Sequence, residues 1–293
     1  LPPNTELAAV ENPGDFMLTP YFEVAMPPLM DVMTALLLSF TIGLGLSYIE
    51  GTVLKDGFTD FKEIITMLIE VVIIPLLPLH IFGIFLNMTV SGQVAGIIAM
   101  FLKVILVIFV LHVLLLLIQF SLAGSVSHKN PLRLLRNMLP AYATALGTQS
   151  SAATIPVTLA QAIKNGVRQN IAIFVIPLCA TIHLAGSTMK IVACAMAILF
   201  MSGEPVTLTA FAGFILMLGI TMVAAPGVPG GAIMAALGLL QSMLGFNETL
   251  QALMIALYIA MDSFGTACNV TGDGAIAILV DKIAGKPAQE TTE

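Results

Sequence analysis

The sequence contains few charged residues: Asp, Glu, Lys and Arg make up 10% of its 293 residues, whereas hydrophobic residues make up 58%. Soluble domains contain about 25% charged and about 45–50% apolar residues, so this composition excludes an ordinary soluble domain. Apolar runs recur along the whole chain, and one spanning helix needs about 20 apolar residues. We therefore predict an all-α polytopic membrane protein in contact with membrane lipid, rather than a soluble core with a single anchor.

Other scarcities exclude further classes of protein. The net charge of −6 leaves no basic face, which argues against a nucleic-acid partner. The three cysteines lie in apolar stretches and form neither a disulfide framework nor a metal-ligand spacing. No Gly-rich phosphate loop or nucleophile elbow stands out, so we expect neither enzyme activity nor an enzyme cofactor. No charged segment with a short apolar run precedes the first span, so we expect no signal peptide.

The positions of the basic residues predict how the chain is oriented. Apolar segments cover 24–49, 63–88, 94–122, 138–163, 170–201, 207–246 and 250–280. Basic residues occupy three of the connections and the C-terminal tail, namely Lys55, Lys62, Lys129, Arg133, Arg136, Lys164, Arg168, Lys282 and Lys286. The connections 1–23, 89–93, 202–206 and 245–249 contain none. Because short basic loops stay in the cytoplasm, we expect the N-terminal end outside and the C-terminal end inside a bacterial inner membrane.

Two segments do not fit a single crossing. Segment 138–163 has basic connections at both ends and a polar break at 148–154, which predicts a re-entrant helical hairpin entering from the cytoplasm. Segment 207–246 has no basic residue at either end and breaks at 225–231, which predicts a second hairpin entering from outside. Two opposed hairpins form an inverted repeat, a feature of secondary transporters. The alternative is a pair of Gly and Pro kinks in ordinary spans.

The last segment contains a polar stripe. Asp262, Thr266, Asn269 and Asp273 are spaced by four, three and four residues, so they share one helical face. Carboxylates at bilayer depth are costly and face a cavity, a cation or a partner charge. We predict a site for a cation and a substrate on this face, with a structural ion pair as the alternative.

The fifth segment, 170–201, contains a polar break at 181–188 and one lysine near its middle. His183 and Lys190 are seven residues apart and would share a helical face. Lys190 either extends to an interface or faces Asp262 or an anionic ligand, and the apolar residues on both sides favour the second option. Isolated polar residues in apolar segments are interpreted as interhelical or interface groups: Glu70, His80, Lys103 and His112.

Four motifs, in the same order, resemble those of the dicarboxylate/amino acid:cation symporter family, which has the glutamate-transporter fold. They are TQSSAATIP at 148–156, PLCATI at 177–182, GVPG at 227–230 and the polar stripe of 262–273. The resemblance implies a homotrimer in which a transport domain moves against a fixed scaffold, an elevator mechanism. It also implies that three further helices precede segment 24–49, so that this chain is N-terminally truncated, with a naturally short member as the alternative.

The resemblance implies a division into three regions. Residues 1–23 would form an extracellular loop, and 24–93 would form scaffold helices four and five of the family. Residues 94–293 would form the transport core: helix six at 94–122, hairpin one at 138–163, helix seven at 170–201, hairpin two at 207–246, helix eight at 250–283 and a short cytoplasmic tail.

The site residues that the resemblance implies fall into two groups. Sodium would be held by Cys179, Thr181, His183, Met222, Val223, Ala225, Asn269 and Asp273, mainly through backbone carbonyls. The substrate would contact Gln149, Ser150, Ser151, Ser187, Lys190, Val228, Asp262, Gly265, Thr266 and Asn269, with Asp262 receiving a substrate ammonium group.

Departures from the family pattern alter the expected substrate. The positions at which the family has an arginine for an acidic substrate are Gly265 and Gln149 here, and we hypothesise that Lys190 replaces that charge. His183 occupies the place of a sodium-site asparagine, which makes proton coupling an alternative. We expect a symporter that couples sodium to the uptake of a neutral amino acid or small carboxylate. A C4-dicarboxylate carrier that uses Lys190 and a passive anion channel are the alternatives.

Overall fold

The computed structural model describes residues 32–68, 94–204, 206–225 and 229–285, together with scattered positions between 71 and 89. The predictions for 1–23, Glu70, His80, Val228 and Lys286 lie outside these residues. Within them the chain forms α-helices and no strand, as an all-α prediction requires. The helices are α1 Val32–Tyr48, α2 Val53–Leu68, α3 Val94–Ser127, α4 Pro131–Thr148, α5 Ser151–Lys164, α6 Gln169–Ile182, α7 Ala185–Met201, α8 Leu208–Val223, α9 Gly231–Leu244, α10 Glu248–Ala260 and α11 Asp262–Ile283.

Length and composition allow two of the described helical stretches to cross a membrane. These are Phe101–Ser127 and Gln169–Met201, and a third arises if Glu248–Ala260 and Asp262–Ile283 count as one interrupted span. Shorter apolar helices cover Leu37–Tyr48, Leu208–Val223 and Gly231–Leu244. Large apolar side chains remain exposed along these helices, including Leu106, Leu122 and Phe174. Exposed apolar helices of this length are characteristic of a multi-pass membrane protein.

The chain divides into two compact units. The first comprises Leu1–Leu102, Cys194–Thr221 and Ile233–Tyr258, and its fully buried side chains include Phe214 and Leu240. The second comprises Lys103–Ala193, Met222–Ala232 and Ile259–Glu293. Every predicted site residue that the structure describes belongs to the second unit.

The second unit is built from helices that approach closely. Helix α11 packs against α4, α5 and α6, and α5 packs against both α4 and α6. Buried apolar residues such as Phe120, Ile176 and Val270 fill the space between them. Small residues on α11 permit the close approach: a methyl group added at Gly274 would lie 2.6 Å from Cε of Met138. Small-residue contacts of this kind are the usual way in which membrane helices pack.

Helices α4 and α5 form a helical hairpin at the predicted break. Gln149 ends α4 in the left-handed conformation, with φ of 51°, and Ser150 begins α5 by accepting the Ala153 N–H at 3.3 Å. At the other end, Lys129 donates to the Asn165 carbonyl at 2.6 Å, so the two ends of the hairpin lie together. The chain therefore enters and leaves this pair of helices at the same end of the unit.

Helix boundaries differ from the prediction in three places. Hairpin one begins at Pro131 rather than at 138, because the Asn130 side chain caps the helix there. Lys55 and Lys62 lie in helix α2 rather than in a loop, because apolar and charged residues alternate there with helical spacing. The predicted continuous helix over 250–280 is interrupted at Met261, which leaves the helical conformation with φ of −118° and ψ of 12°.

Candidate functional site

Interruptions of helices converge on α11. Besides Met261, helices of the second unit are interrupted at the turn 149–150 and at 183–184, and α8 ends at Val223 before α9 begins at Gly231. The predicted polar breaks at 148–154 and 181–188 contain the first two of these interruptions, and the predicted break at 225–231 overlaps the interval between α8 and α9. Each interruption frees backbone N–H or C=O groups that a continuous helix would pair internally. Polar side chains and backbone groups near these breaks are hydrogen-bonded to residues of α11.

Lys190 and Asp262 form a buried ion pair. The Lys190 Nζ lies 3.1 Å from the Asp262 Oδ1, and the exposed fractions of the two side chains are 0% and 7%. The second oxygen of Asp262 accepts the N–H of Gly230 at 2.8 Å. Asp262 is the first residue of α11, where the helix dipole also favours a negative charge. Of the two predicted arrangements for Lys190, the structure shows the one that faces Asp262.

Gly265 provides the space for the Lys190 ammonium group. A methyl group added at Gly265 would lie 3.0 Å from Nζ and 3.3 Å from Cε of Lys190, and 3.4 Å from Oγ of Ser187. A side chain at this position would therefore compress the end of Lys190.

Asn269 ties α11 to the start of α7. Its Oδ1 accepts the N–H groups of Gly186 at 2.8 Å and Ser187 at 3.2 Å, and its Nδ2 donates to the Ser187 hydroxyl at 2.9 Å. These two N–H groups are in the first helical turn, where no intrahelical acceptor exists. His112, from α3, donates through Nε2 to the Gly186 carbonyl at 3.1 Å. Asn269 therefore caps α7 from a neighbouring helix, a role that the sequence did not predict.

Asp273 contacts the side chain of His183. The His183 Nδ1 lies 2.7 Å from the Asp273 Oδ1, and the Asp273 side chain is 1% exposed. Gln119 places its Nε2 3.4 Å from the His183 Nε2. Gly272 admits this contact, since a methyl group there would lie 2.7 Å from both Gln119 Oε1 and His183 Cε1. Gln119 was not predicted as a site residue, although a polar residue in the strongly apolar segment 94–122 could have indicated it.

The remaining predicted substrate contacts lie at the hairpin turn and on α11. Gln149 donates through Nε2 to the Ser263 hydroxyl at 2.9 Å, which links the turn to the first residues of α11. Ser151 and Thr266 are buried, at 6% exposure each.

The remaining predicted sodium ligands lie at the ends of α6 and α8. The Cys179 carbonyl accepts the His183 N–H at 2.8 Å, and the Met222 carbonyl accepts the Ala225 N–H at 3.3 Å. Thr181 and Val223 are exposed. The C-terminal ends of helices carry carbonyl groups and partial negative charge, which suit a cation.

Apolar spans indicate a multi-pass helical membrane protein, and buried carboxylates beside interrupted helices are features that secondary transporters share. The chain belongs to the sodium:dicarboxylate symporter family, whose model matches residues 3–283. It is thus a member of a family of symporters rather than of enzymes.

Known relatives are excitatory amino acid transporters. The chain is 30% identical over 243 residues to excitatory amino acid transporter 1 of Rattus norvegicus, covering 80% of this chain and 44% of that protein. It is 29% identical over 242 residues to excitatory amino acid transporter 4 of Mus musculus, covering 80% and 42%. A shorter match of 170 residues to excitatory amino acid transporter 3 of Mus musculus is 34% identical, covering 56% and 32%. The chain therefore spans less than half the length of these relatives.

Proposed function

We propose that this chain forms the transport core of a secondary active symporter that couples sodium entry to the uptake of a small carboxylate or an amino acid. One observation carries the proposal: two buried carboxylates, Asp262 and Asp273, lie on one helix at which interrupted helices converge. Membership of the sodium:dicarboxylate symporter family supports it. Ionisable groups buried in membrane-spanning helices mark ion and substrate pathways.

The polarity of the interrupted helices suggests where each ligand binds. Helix α6 ends at Ile182, and its final carbonyls, with the Asp273 carboxylate, would attract sodium. Helices α5 and α7 begin at Ser151 and Ala185, and the partial positive charge of their N-termini would attract a substrate carboxylate, with Asn269 already accepting the Gly186 and Ser187 N–H groups of α7. Discontinuous helices of secondary transporters use opposed helix ends of this kind for ions and anionic substrates, which supports the proposal.

The wider architecture follows from the same proposal. Residues 94–293 would form a transport domain that moves against a scaffold including 24–93, within a homotrimer in a bacterial inner membrane. The hairpins would enter from opposite faces, hairpin one from the cytoplasm. The joining of Lys129 to the Asn165 carbonyl at 2.6 Å supports this, because both basic connections of hairpin one then share one side.

Sodium-driven accumulation tests the proposal. The complete gene product, in proteoliposomes with an inward sodium gradient, should accumulate radiolabelled succinate, aspartate or alanine above the external concentration. Asp273→Asn should abolish accumulation, whereas Asp60→Asn, on the exposed helix α2, should leave it unchanged. Uptake that only equilibrates across the membrane would contradict the proposal.

The same assay separates the alternatives. A passive anion channel would equilibrate the label and carry current without any cation gradient. Accumulation driven by an inward proton gradient in the absence of sodium would instead identify the proton as the coupling ion.

A further inference from the structure

We propose that Lys190 determines substrate specificity by occupying the cation-binding side of Asp262, so that the site accepts carboxylates without an amino group. The proposal rests on the proposed transport function and narrows its substrate class. It assigns to Lys190 a role that differs from simple attraction of an anion: the lysine excludes a ligand ammonium group from the carboxylate that would otherwise bind it.

Both carboxylate oxygens of Asp262 are already bound within the protein. One carboxylate oxygen contacts Lys190 Nζ at 3.1 Å, and the other accepts the Gly230 N–H at 2.8 Å. Both oxygens therefore already have a partner, and a ligand ammonium group would have to compete with these partners for the carboxylate. Displacing Lys190 would separate two opposite charges that are both buried, which is strongly unfavourable.

The Lys190 side chain is tightly enclosed. Its side chain has an exposed fraction of 0%, so it is enclosed by protein along its whole length. Gly265 leaves room for the ammonium group in its present position, where even an added methyl group would come within 3.0 Å of Nζ. The side chain therefore cannot move aside for a ligand amine without opening packed structure.

The charge around the Lys190–Asp262 ion pair does not favour a ligand cation. Lys190 and Asp262 neutralise each other, so the ion pair does not attract a further cation. The N-termini of α9 and α11, which begin at Gly231 and Asp262, add partial positive charge. This environment favours an anionic group over an ammonium group. It predicts discrimination between two ligands of the same skeleton that differ only by an amino group.

Matched ligands provide the test. Succinate and aspartate differ by one amino group. Lactate carries a hydroxyl group where alanine carries an amino group. The complete protein, purified in detergent with sodium present, is titrated with each ligand by calorimetry. Of succinate and lactate, we expect the one with the higher affinity to bind at least tenfold more tightly than its amino counterpart, aspartate or alanine.

Variants of the ion pair separate specificity from loss of folding. In Lys190→Met, Asp262 lacks its counter-charge, so the preference should reverse in favour of the amino acid. The double variant Lys190→Met with Asp262→Asn leaves no unpaired charge, so it should fold. Its affinities for the amino-free acid and the matching amino acid should differ by no more than about threefold. Lys103→Met, which removes an exposed lysine of α3, should retain the wild-type preference.

A wrong role for Lys190 and a failure of the proposed transport function would give different results. Wild-type protein that binds aspartate or alanine as tightly as the amino-free partner would overturn the role of Lys190. An unchanged preference in both the single and the double variant would overturn it as well. Failure of the transport function would appear separately, as uptake that never exceeds equilibrium.

Discussion

Replacement of Asn269 by leucine tests whether this side chain is a structural cap. Leucine has a similar volume but cannot bind the N–H groups of Gly186 and Ser187. Three hydrogen bonds, at 2.8, 3.2 and 2.9 Å, would be lost. At about 0.5–1.5 kcal/mol each, their removal should destabilise the protein by about 1.5–4.5 kcal/mol. The upper half of this range is favoured because Gly186 and Ser187 are buried, so water cannot readily replace Asn269.

The measurement is equilibrium unfolding of the complete protein in mixed detergent micelles. Asn137→Leu serves as the control, because Asn137 donates a single hydrogen bond to Asn165 at 2.8 Å and should cost only about 1 kcal/mol. If Asn269→Leu cost less than Asn137→Leu, the capping role would be refuted. The Asn269 side chain would then be available to the substrate, as the family resemblance implies.

Three further predictions concern the contacts along α11. Gly272→Ala, whose methyl group would lie 2.7 Å from Gln119 Oε1 and His183 Cε1, should lower thermal stability by about 1–3 kcal/mol and reduce stabilisation by sodium; unchanged sodium stabilisation would argue against this location for the cation. Lys190→Met should destabilise by about 3–5 kcal/mol in unfolding experiments, and the added Asp262→Asn should recover most of it; a double variant no more stable than the single one would contradict a net ion-pair interaction. Arg168→Gln, which removes bonds of 2.7 and 2.8 Å to Asp281, should cost about 1–3 kcal/mol, whereas exposed Lys164→Gln should change little.

Features encoded by local composition could be predicted from the sequence. The turn at 149–150 follows from the polar break and its flanking basic connections, and the break at 183–184 follows from clustered Gly, Ser and Thr residues. The contact of Lys190 with Asp262 could be predicted because an unpaired lysine inside an apolar segment is energetically costly, and few anionic groups lie within the apolar segments.

Features that depend on packing between distant segments could not be predicted. The interruption at Met261 lies within an apolar run without a proline, so no local signal marks it. The capping of α7 by Asn269 and the contact of Gln119 with His183 each join residues more than sixty positions apart. Spacing along one helix showed that Asn269 and Asp273 share a face, but it did not identify the groups opposite them.

A structure of the complete protein determined with sodium and succinate is the most direct test of the proposed site. We expect ligand density beside the first turns of α5 and α7, with a carboxylate group within hydrogen-bond distance of Ser151 or Ser187 and Lys190 still paired with Asp262. Ligand density remote from α11, or an Asp262 carboxylate that binds the ligand while Lys190 turns away, would contradict it.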